Sequence, residues 1–313
     1  DFELPPFSML SSNPNSASSA SSKDELDHTM ARLQGTLEEF GLTSKVVDYI
    51  SGPLVTTFRV EMGEGERVNK IRTLEDDIAL TLAAEKVRIF APIPGTSFVG
   101  IEIPNKTRQN VHLGDVLPYA TGGSLEVAIG RDSAGKPVIA DISKMPHMLV
   151  AGTTGSGKSE LLQTLIAALC VGNTPQAMTF VLVDYKGGAA FKDCARLPHT
   201  VGMVTDLDGH LTSRALESLG AELRRREHQL ARAGAKDIED YVAAMGPGDE
   251  PMPRLMLIID EFAALVAELP QFVTGLVDIA RRGRSLGVHL VLATQRPAGV
   301  VSAEIKSNTN LCI

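Results

Sequence analysis

The sequence predicts an α/β protein built on a parallel central sheet and preceded by a smaller α+β domain. Three observations carry this. Residues 152–159 read Gly-Thr-Thr-Gly-Ser-Gly-Lys-Ser, between a short apolar run and a stretch that is apolar at helical spacing. After that loop, near-continuous apolar runs alternate with helical patterns, as strands covered on both faces do. The first third of the chain instead sets single helices between pairs of short strands.

In order along the chain, residues 11–22 are Ser-, Asn- and Ala-rich, and 1–22 is expected to be a flexible linker. Leu26, Met30, Leu33, Leu37 and Phe40 recur at 4-3-4-3 spacing, a helix stopped by Gly41. Strand-like runs at 45–50 and 54–61 flank Ser51-Gly52-Pro53. A helical stretch covers 68–84, with a break near Arg72-Thr73. Two more strand-like runs, 86–91 and 98–103, flank Pro92-Ile93-Pro94-Gly95, which closes an α+β domain over 23–117. The second domain, 118–313, opens with strands at 125–129 and 137–140 and the run Met148-Leu149-Val150-Ala151. There follow a helix over 160–171, a strand over 178–184, a helix over 211–233, a strand over 255–260, a helix over 272–284 and a strand over 288–294.

Bulk properties narrow the class. The 313 residues are 43% hydrophobic and 22% charged, enough to bury a core. No apolar run approaches the roughly 18–20 residues of a membrane span. No signal peptide precedes Asp1, and a start at Asp is read as a piece of something longer, from which a membrane anchor could have been removed. Cys170, Cys194 and Cys312 and the seven histidines lack metal-ligand spacing, so reduced thiols in a cytoplasmic protein are expected. Net charge is −8, with −6 in residues 1–117 and −2 in 118–313. Any contact with nucleic acid therefore has to be local, through a few loops.

The motifs carry chemistry. In Gly152, Thr153, Thr154, Gly155, Ser156, Gly157, Lys158 and Ser159, backbone N–H groups cradle phosphates, Lys158 reaches the β/γ oxygens and Ser159 ligates Mg²⁺. ATP and Mg²⁺ are the cofactors so implied. The strand at 255–260 delivers Asp260 and Glu261 at its C-terminal edge, where such sheets bind ligands. Asp260 is the metal carboxylate, and an adjacent Glu261 able to activate water favours hydrolysis over binding alone. Gln295, at the end of the strand over 288–294, is a candidate γ-phosphate sensor, or simply a strand end before a turn. Arg281-Arg282-Gly283-Arg284 closes a helix, where basic residues complement the dipole. The same pattern suits an arginine finger at Arg284 reaching a neighbouring subunit, and both readings stay open. Arg224-Arg225-Arg226 has acids three and four residues away and reads as a solvated, salt-bridged helix face. Residues 185–192 pair two glycines with two lysines and two aromatics, a composition suited to a loop gripping a polymer.

His147 through the phosphate loop, Asp260-Glu261-Phe262-Ala263 and Gly287 through Pro297 closely resemble the FtsK/SpoIIIE translocase ATPases. In the N-terminal half, Phe2-Glu3-Leu4-Pro5-Pro6, Gly52-Pro53, Ile93-Pro94-Gly95, Gly100 through Asn105 and Gly135-Lys136-Pro137 resemble them too. The resemblance implies a RecA-like P-loop ATPase domain and a translocase α domain in a hexameric ring that pumps double-stranded DNA. It matches Lys158, Ser159, Asp260, Glu261 and Gln295 to the site, and Arg284 to the residue facing the next subunit. It places Lys306 and Asn308 as candidate DNA contacts, and the composition of the 185–192 loop adds Lys186. The family's orienting-sequence reader would follow Ile313, so sequence-independent movement is expected of this piece. One stretch departs: Asp184-Tyr185-Lys186-Gly187-Gly188 and Leu197 through Gly202 look more like actinobacterial relatives that include the EccC motor of type VII protein secretion. The alternative it implies is a protein-secretion ATPase. A scaffold that binds nucleotide without pumping is disfavoured by Glu261 and Gln295.

Overall fold

The computed structural model describes all of residues 1–313 except 186, 188, 206–208, 297, 298 and 300. The chain divides into two compact units. The smaller comprises Leu10–Tyr119 and Ile129–Val138; the larger comprises Asp1–Met9, Ala120–Ala128 and Ile139–Ile313.

In the smaller unit, helix α1 (Lys23–Glu39) starts at a capping box. The Ser22 hydroxyl accepts from the Glu25 amide and the Glu25 carboxylate accepts from the Ser22 amide, which satisfies two N-terminal donors. Its Leu33 and Leu37 are fully buried. They pack on a four-stranded antiparallel sheet of order β1-β2-β4-β3, formed by β1 (Lys45–Ser51), β2 (Val55–Glu61), β3 (Arg88–Phe90) and β4 (Val99–Pro104). Helices α2 (Val68–Arg72) and α3 (Glu75–Thr81) break where the sequence predicts, and Ile71 and Ile78 close the core. A one-turn helix, α4 (Leu113–Val116), follows.

The expected flexible linker is a correction. Its polar side chains bond to the smaller unit: the Asn13 amide donates to Asp115 Oδ1 at 2.6 Å, and Ser16, 2% exposed, accepts from Arg131 Nε at 3.2 Å. Low complexity in Ser and Asn is also a supply of hydrogen-bonding groups, and here they are used. Arg131 lies at the end of β5 (Glu126–Arg131), which pairs with β6 (Pro137–Asp141). Its guanidinium also donates to Asp115 O at 3.1 Å and lies over the Tyr119 ring. The tip of this hairpin thus belongs to the smaller unit, although the sequence assigns 118–313 to one domain.

The larger unit is built on six parallel strands in the order β12-β7-β11-β10-β8-β9. These are β7 (His147–Ala151), β8 (Met178–Asp184), β9 (Thr200–Val204), β10 (Arg254–Asp260), β11 (Val288–Thr294) and β12 (Leu311–Cys312). All seven residues of β11 are buried, as central parallel strands require. The helices are α5 (Lys158–Gly172), α6 (Gly209–Ala233), α7 (Ile238–Ala244), α8 (Phe262–Glu268), α9 (Pro270–Leu286) and α10 (Ala303–Asn308). The sequence does not announce β9, α7, α8, α10 or β12, because each is too short to establish a period. Among the described residues, no helix is long and apolar enough to cross a membrane.

The expected solvated arginine face is half right. Arg225 lies on it and pairs with Glu222 and Glu250. Arg226 is 2% exposed, because its position, three after Leu223 and four before Leu230, falls on the apolar face of α6.

Two buried histidines fill the start of the sheet. The His147 Nε2–H donates to Ala280 O at 2.7 Å, and its Nδ1 accepts from the Leu290 amide at 3.1 Å. The His289 Nδ1–H donates to Pro146 O at 2.9 Å, and its Nε2 accepts from Arg254 at 3.2 Å. Both rings are therefore neutral. Burial lowers both pKa values, and for His289 burial and the Arg254 charge push it down to about 3 from 6.5. The unfolded chain takes up these protons near 6.5 while the folded chain does not, so stability falls as pH drops from 6.5 towards 3. Thermal melts across that window should show a falling Tm, and His289→Asn should flatten the slope; an unchanged slope would remove His289 from the cause.

Candidate nucleotide site

The phosphate loop leaves β7 at the C-terminal edge of the sheet and turns directly into α5. Gly157 is the N-cap of that helix at φ +95°, a conformation that L side chains rarely adopt. The first-turn amides of α5 have no partner within the helix and carry its positive dipole end, so they form an anion site. Residues Thr153–Gly157 are exposed, and the Gly152 amide donates to Thr294 O at 3.1 Å, anchoring the loop to the end of β11.

Predicted residues from three segments converge here. Lys158 forms an ion pair with Asp260 Oδ1 and lies 3.6 Å from Glu261 Oε1. The three side chains are 8%, 6% and 16% exposed. The Glu261 amide donates to Asp260 Oδ1 at 2.9 Å. Glu261 itself sits at φ +56°, a left-handed conformation in a residue with a Cβ. Strain of this kind costs of order 1–3 kcal/mol and persists where the surroundings impose it. Gln295, just past β11, donates from Nε2 to Thr154 Oγ1 at 3.3 Å. Ser159 is exposed in the first turn of α5.

The donor set fits a hard divalent ion. Ser159 and Asp260 offer oxygens only. That matches Mg²⁺, which usually keeps waters and takes phosphate oxygens alongside one or two protein ligands.

Arg284 is not brought to this site. It ends α9 on the side where β11 begins, whereas Gln295 follows the end of β11. The seven residues of β11 separate them by about 20 Å. Arg284 is exposed and lines an open cleft of about 770 Å³ of mixed charge, with Lys144, Lys236 and Arg281 and with Asp237, Glu239 and Asp240. Lys306 is exposed on α10, and Asn308 turns back to donate to Glu304 O at 2.8 Å. Lys186 lies outside the described residues. Sequence reasoning missed Asp184, which is 5% exposed and is the register partner of Asp260 on β8. Two apolar strands ending in Asp were the available signal.

A parallel sheet covered by helices, with a phosphate loop facing an Asp-Glu strand end, defines a P-loop nucleoside triphosphatase. The FtsK/SpoIIIE family model matches residues 120–299, and the FtsK alpha domain model matches residues 4–105. The chain belongs to the FtsK/SpoIIIE family. The DNA translocase FtsK of Clostridium tetani is 37% identical over 326 residues, covering all of this chain and 44% of the relative. That of Helicobacter pylori is 36% identical over 320 residues, 98% of this chain and 37% of the relative. The chain thus spans less than half the length of these curated relatives. Among solved structures, the cytoplasmic domain of the type VII secretion ATPase EccC from Thermomonospora curvata is 40% identical, with a TM-score of 0.56 over 59% of this chain and 23% of that one. The pCW3 conjugation coupling protein TcpA, solved as a monomer with ATPγS, is 22% identical with a TM-score of 0.56 over 91% of this chain and 82% of its own, a likeness of fold.

Replacing Lys158 by Ala would leave the Asp260 carboxylate buried without its cation. A loss of about 3–5 kcal/mol is expected from urea unfolding of the nucleotide-free protein. Adding Asp260→Asn should recover most of it; no recovery would mean that the ion pair does not hold these elements.

Proposed function

We propose that this chain is the motor of an ATP-driven DNA translocase, a hexameric ring that moves double-stranded DNA without reading its sequence. The match of its N-terminal part to the FtsK alpha domain carries this reading, because it ties the chain to relatives named DNA translocases along their motor and not only at the nucleotide site. The motor works in the cytoplasm, tethered in the full-length protein to the inner face of the membrane.

In the site, the triphosphate draws Lys158 away from Asp260 and Glu261 and onto its β/γ oxygens. Ser159 and Asp260 would hold Mg²⁺, which would supply charge neutralisation at those oxygens. Glu261, freed from Lys158, orients the attacking water and takes its proton. Gln295, through Thr154, registers whether the γ-phosphate is present. Arg284, too far from its own site, reaches the triphosphate of the next protomer. Lys186, Lys306 and Asn308 are the candidate DNA contacts.

A second reading, a type VII-like protein-secretion motor, is favoured by one observation: the EccC identity of 40% over 59% of the chain. The two part on cargo. ATP hydrolysis is to be measured with and without double-stranded DNA at matched protein and salt. DNA should stimulate it, and Glu261→Gln should lower kcat by about 10²–10⁴ and abolish the stimulation. An assembled ring that ignores DNA of every length sinks the DNA reading and leaves secretion. Arg284→Ala should cut kcat by about 10³ or more while leaving nucleotide affinity intact. No change in either would return Arg284 to a dipole-complementing role.

A further inference from the structure

Arg226 is an unusual place to spend a charge. Arginine is almost never fully buried unless its donors are met, and this one is 2% exposed inside α6. Its guanidinium donates to Glu222 Oε1 at 2.7 Å, to Leu286 O at 2.9 Å and to Pro253 O at 2.5 Å. Two of these three acceptors are backbone carbonyls: one in the last turn of α9, one at the entry to β10. Leu286 O is among the helix-terminal carbonyls that have no acceptor role within the helix. A leucine at 226 would pack against Leu223 and Leu230 but leave both carbonyls without this donor.

The same turn is held from two other sides. Gly287 takes φ +71°, and a Cβ there would lie 2.2 Å from Ile238 Cδ1 of α7. The Leu255 amide of β10 donates to Gly287 O at 2.8 Å, and the Gly287 amide donates to Arg284 O at 3.3 Å. Arg284 is thus two residues from a carbonyl that Arg226 grips, and is itself bonded to a glycine wedged against α7. Its side chain stands exposed over the cleft, while the turn that follows it is held by α6, α7 and β10.

We infer that Arg226 is a positioning residue for Arg284: it fixes the last turn of α9 so that the Arg284 guanidinium is presented in one direction to a neighbouring copy's triphosphate. The inference rests on the intersubunit role proposed above for Arg284. Arg226 touches no nucleotide. Its chemistry is that of a rigid fork with five donors, which neither lysine nor glutamine reproduces across three acceptors.

The test mixes protomers. Lys158→Ala has a dead site of its own but an intact Arg284; Arg226→Lys has an intact site but a displaced finger. Each alone should hydrolyse ATP at less than about a tenth of the wild-type kcat, with Arg226→Lys still binding one nucleotide per protomer at the wild-type Kd, a stoichiometry that partial unfolding would lower. Mixed one to one, they should recover several-fold over the sum of the two alone. Gly287→Ala, which strains the same turn with Arg226 in place, should behave as Arg226→Lys does and serves if that variant does not fold. Recovery with Arg284→Ala but not with Arg226→Lys or Gly287→Ala overturns the assignment, as does a wild-type kcat in either. If Arg284→Ala also fails to complement Lys158→Ala, the intersubunit reading of Arg284 has failed instead.

Discussion

Lys158 and Asp260 meet between the first turn of α5 and the last residue of β10, and their ion pair joins two elements that chemistry needs side by side. With side chains 8% and 6% exposed, both ions have given up most of their water. Their mutual attraction repays that only if further bonds complete the shell, and the Glu261 amide on Asp260 Oδ1 supplies one. In the nucleotide-free protein the lysine thus serves as the counter-ion of the strand end. A triphosphate offers it a denser negative charge. In the proposed mechanism the lysine moves off both carboxylates, so the ion pair that joins these elements would also hold Glu261 back from acting as a base until a triphosphate arrives.

The two edges of the parallel sheet divide the labour. At the C-terminal edge the groups are solvent-facing, strained or paired across elements: exposed phosphate-loop residues, Glu261 in the left-handed region, Gln295 on Thr154. At the N-terminal edge polar groups are buried and closed into fixed bonds. His147 and His289 are each held as one neutral tautomer, and Arg254 links His289 to Glu239 of α7. A rigid floor beneath a strained rim suits the role proposed for Arg284, which needs a fixed far edge. Seven buried residues of β11 connect Gln295 to the turn that carries Arg284, so the strand is a stiff link between the candidate nucleotide site and an exposed edge of the sheet.

Residues whose positions follow from local order were legible in the sequence. The phosphate loop, the Asp260-Glu261 strand end and the strand over 288–294 are each contiguous, so spacing alone placed them. What was not legible depends on contacts far apart in the chain. Asp184 joins the site because β8 and β10 pair in register, and no local pattern encodes register. Arg226 looked solvated because acids flank it in sequence, yet its carbonyl partners lie 27 and 60 residues away. The Ser- and Asn-rich segment looked like linker because composition shows donors and acceptors but not whether they find Asp115 and Arg131 in space.

Charge constrains how so acidic a chain would hold the DNA proposed as its cargo. Many of its arginines are already committed: Arg59 to Asp48, Arg225 to Glu222 and Glu250, Arg226 to Glu222, Arg254 to Glu239, and Arg282 to Asp278 and Glu227. Each such pair leaves one fewer cation to replace a counter-ion on DNA. A net charge of −8 adds a repulsive field that strengthens as salt is lowered. A protomer that met DNA through only two or three loop lysines would release few counter-ions, giving a salt slope per protomer near −2 to −3 rather than the −10 of a repressor that clamps its site. Grip would then come from several protomers holding one duplex together, each weakly. That is the regime a pump requires, since a contact has to be released on every cycle without the cargo being lost.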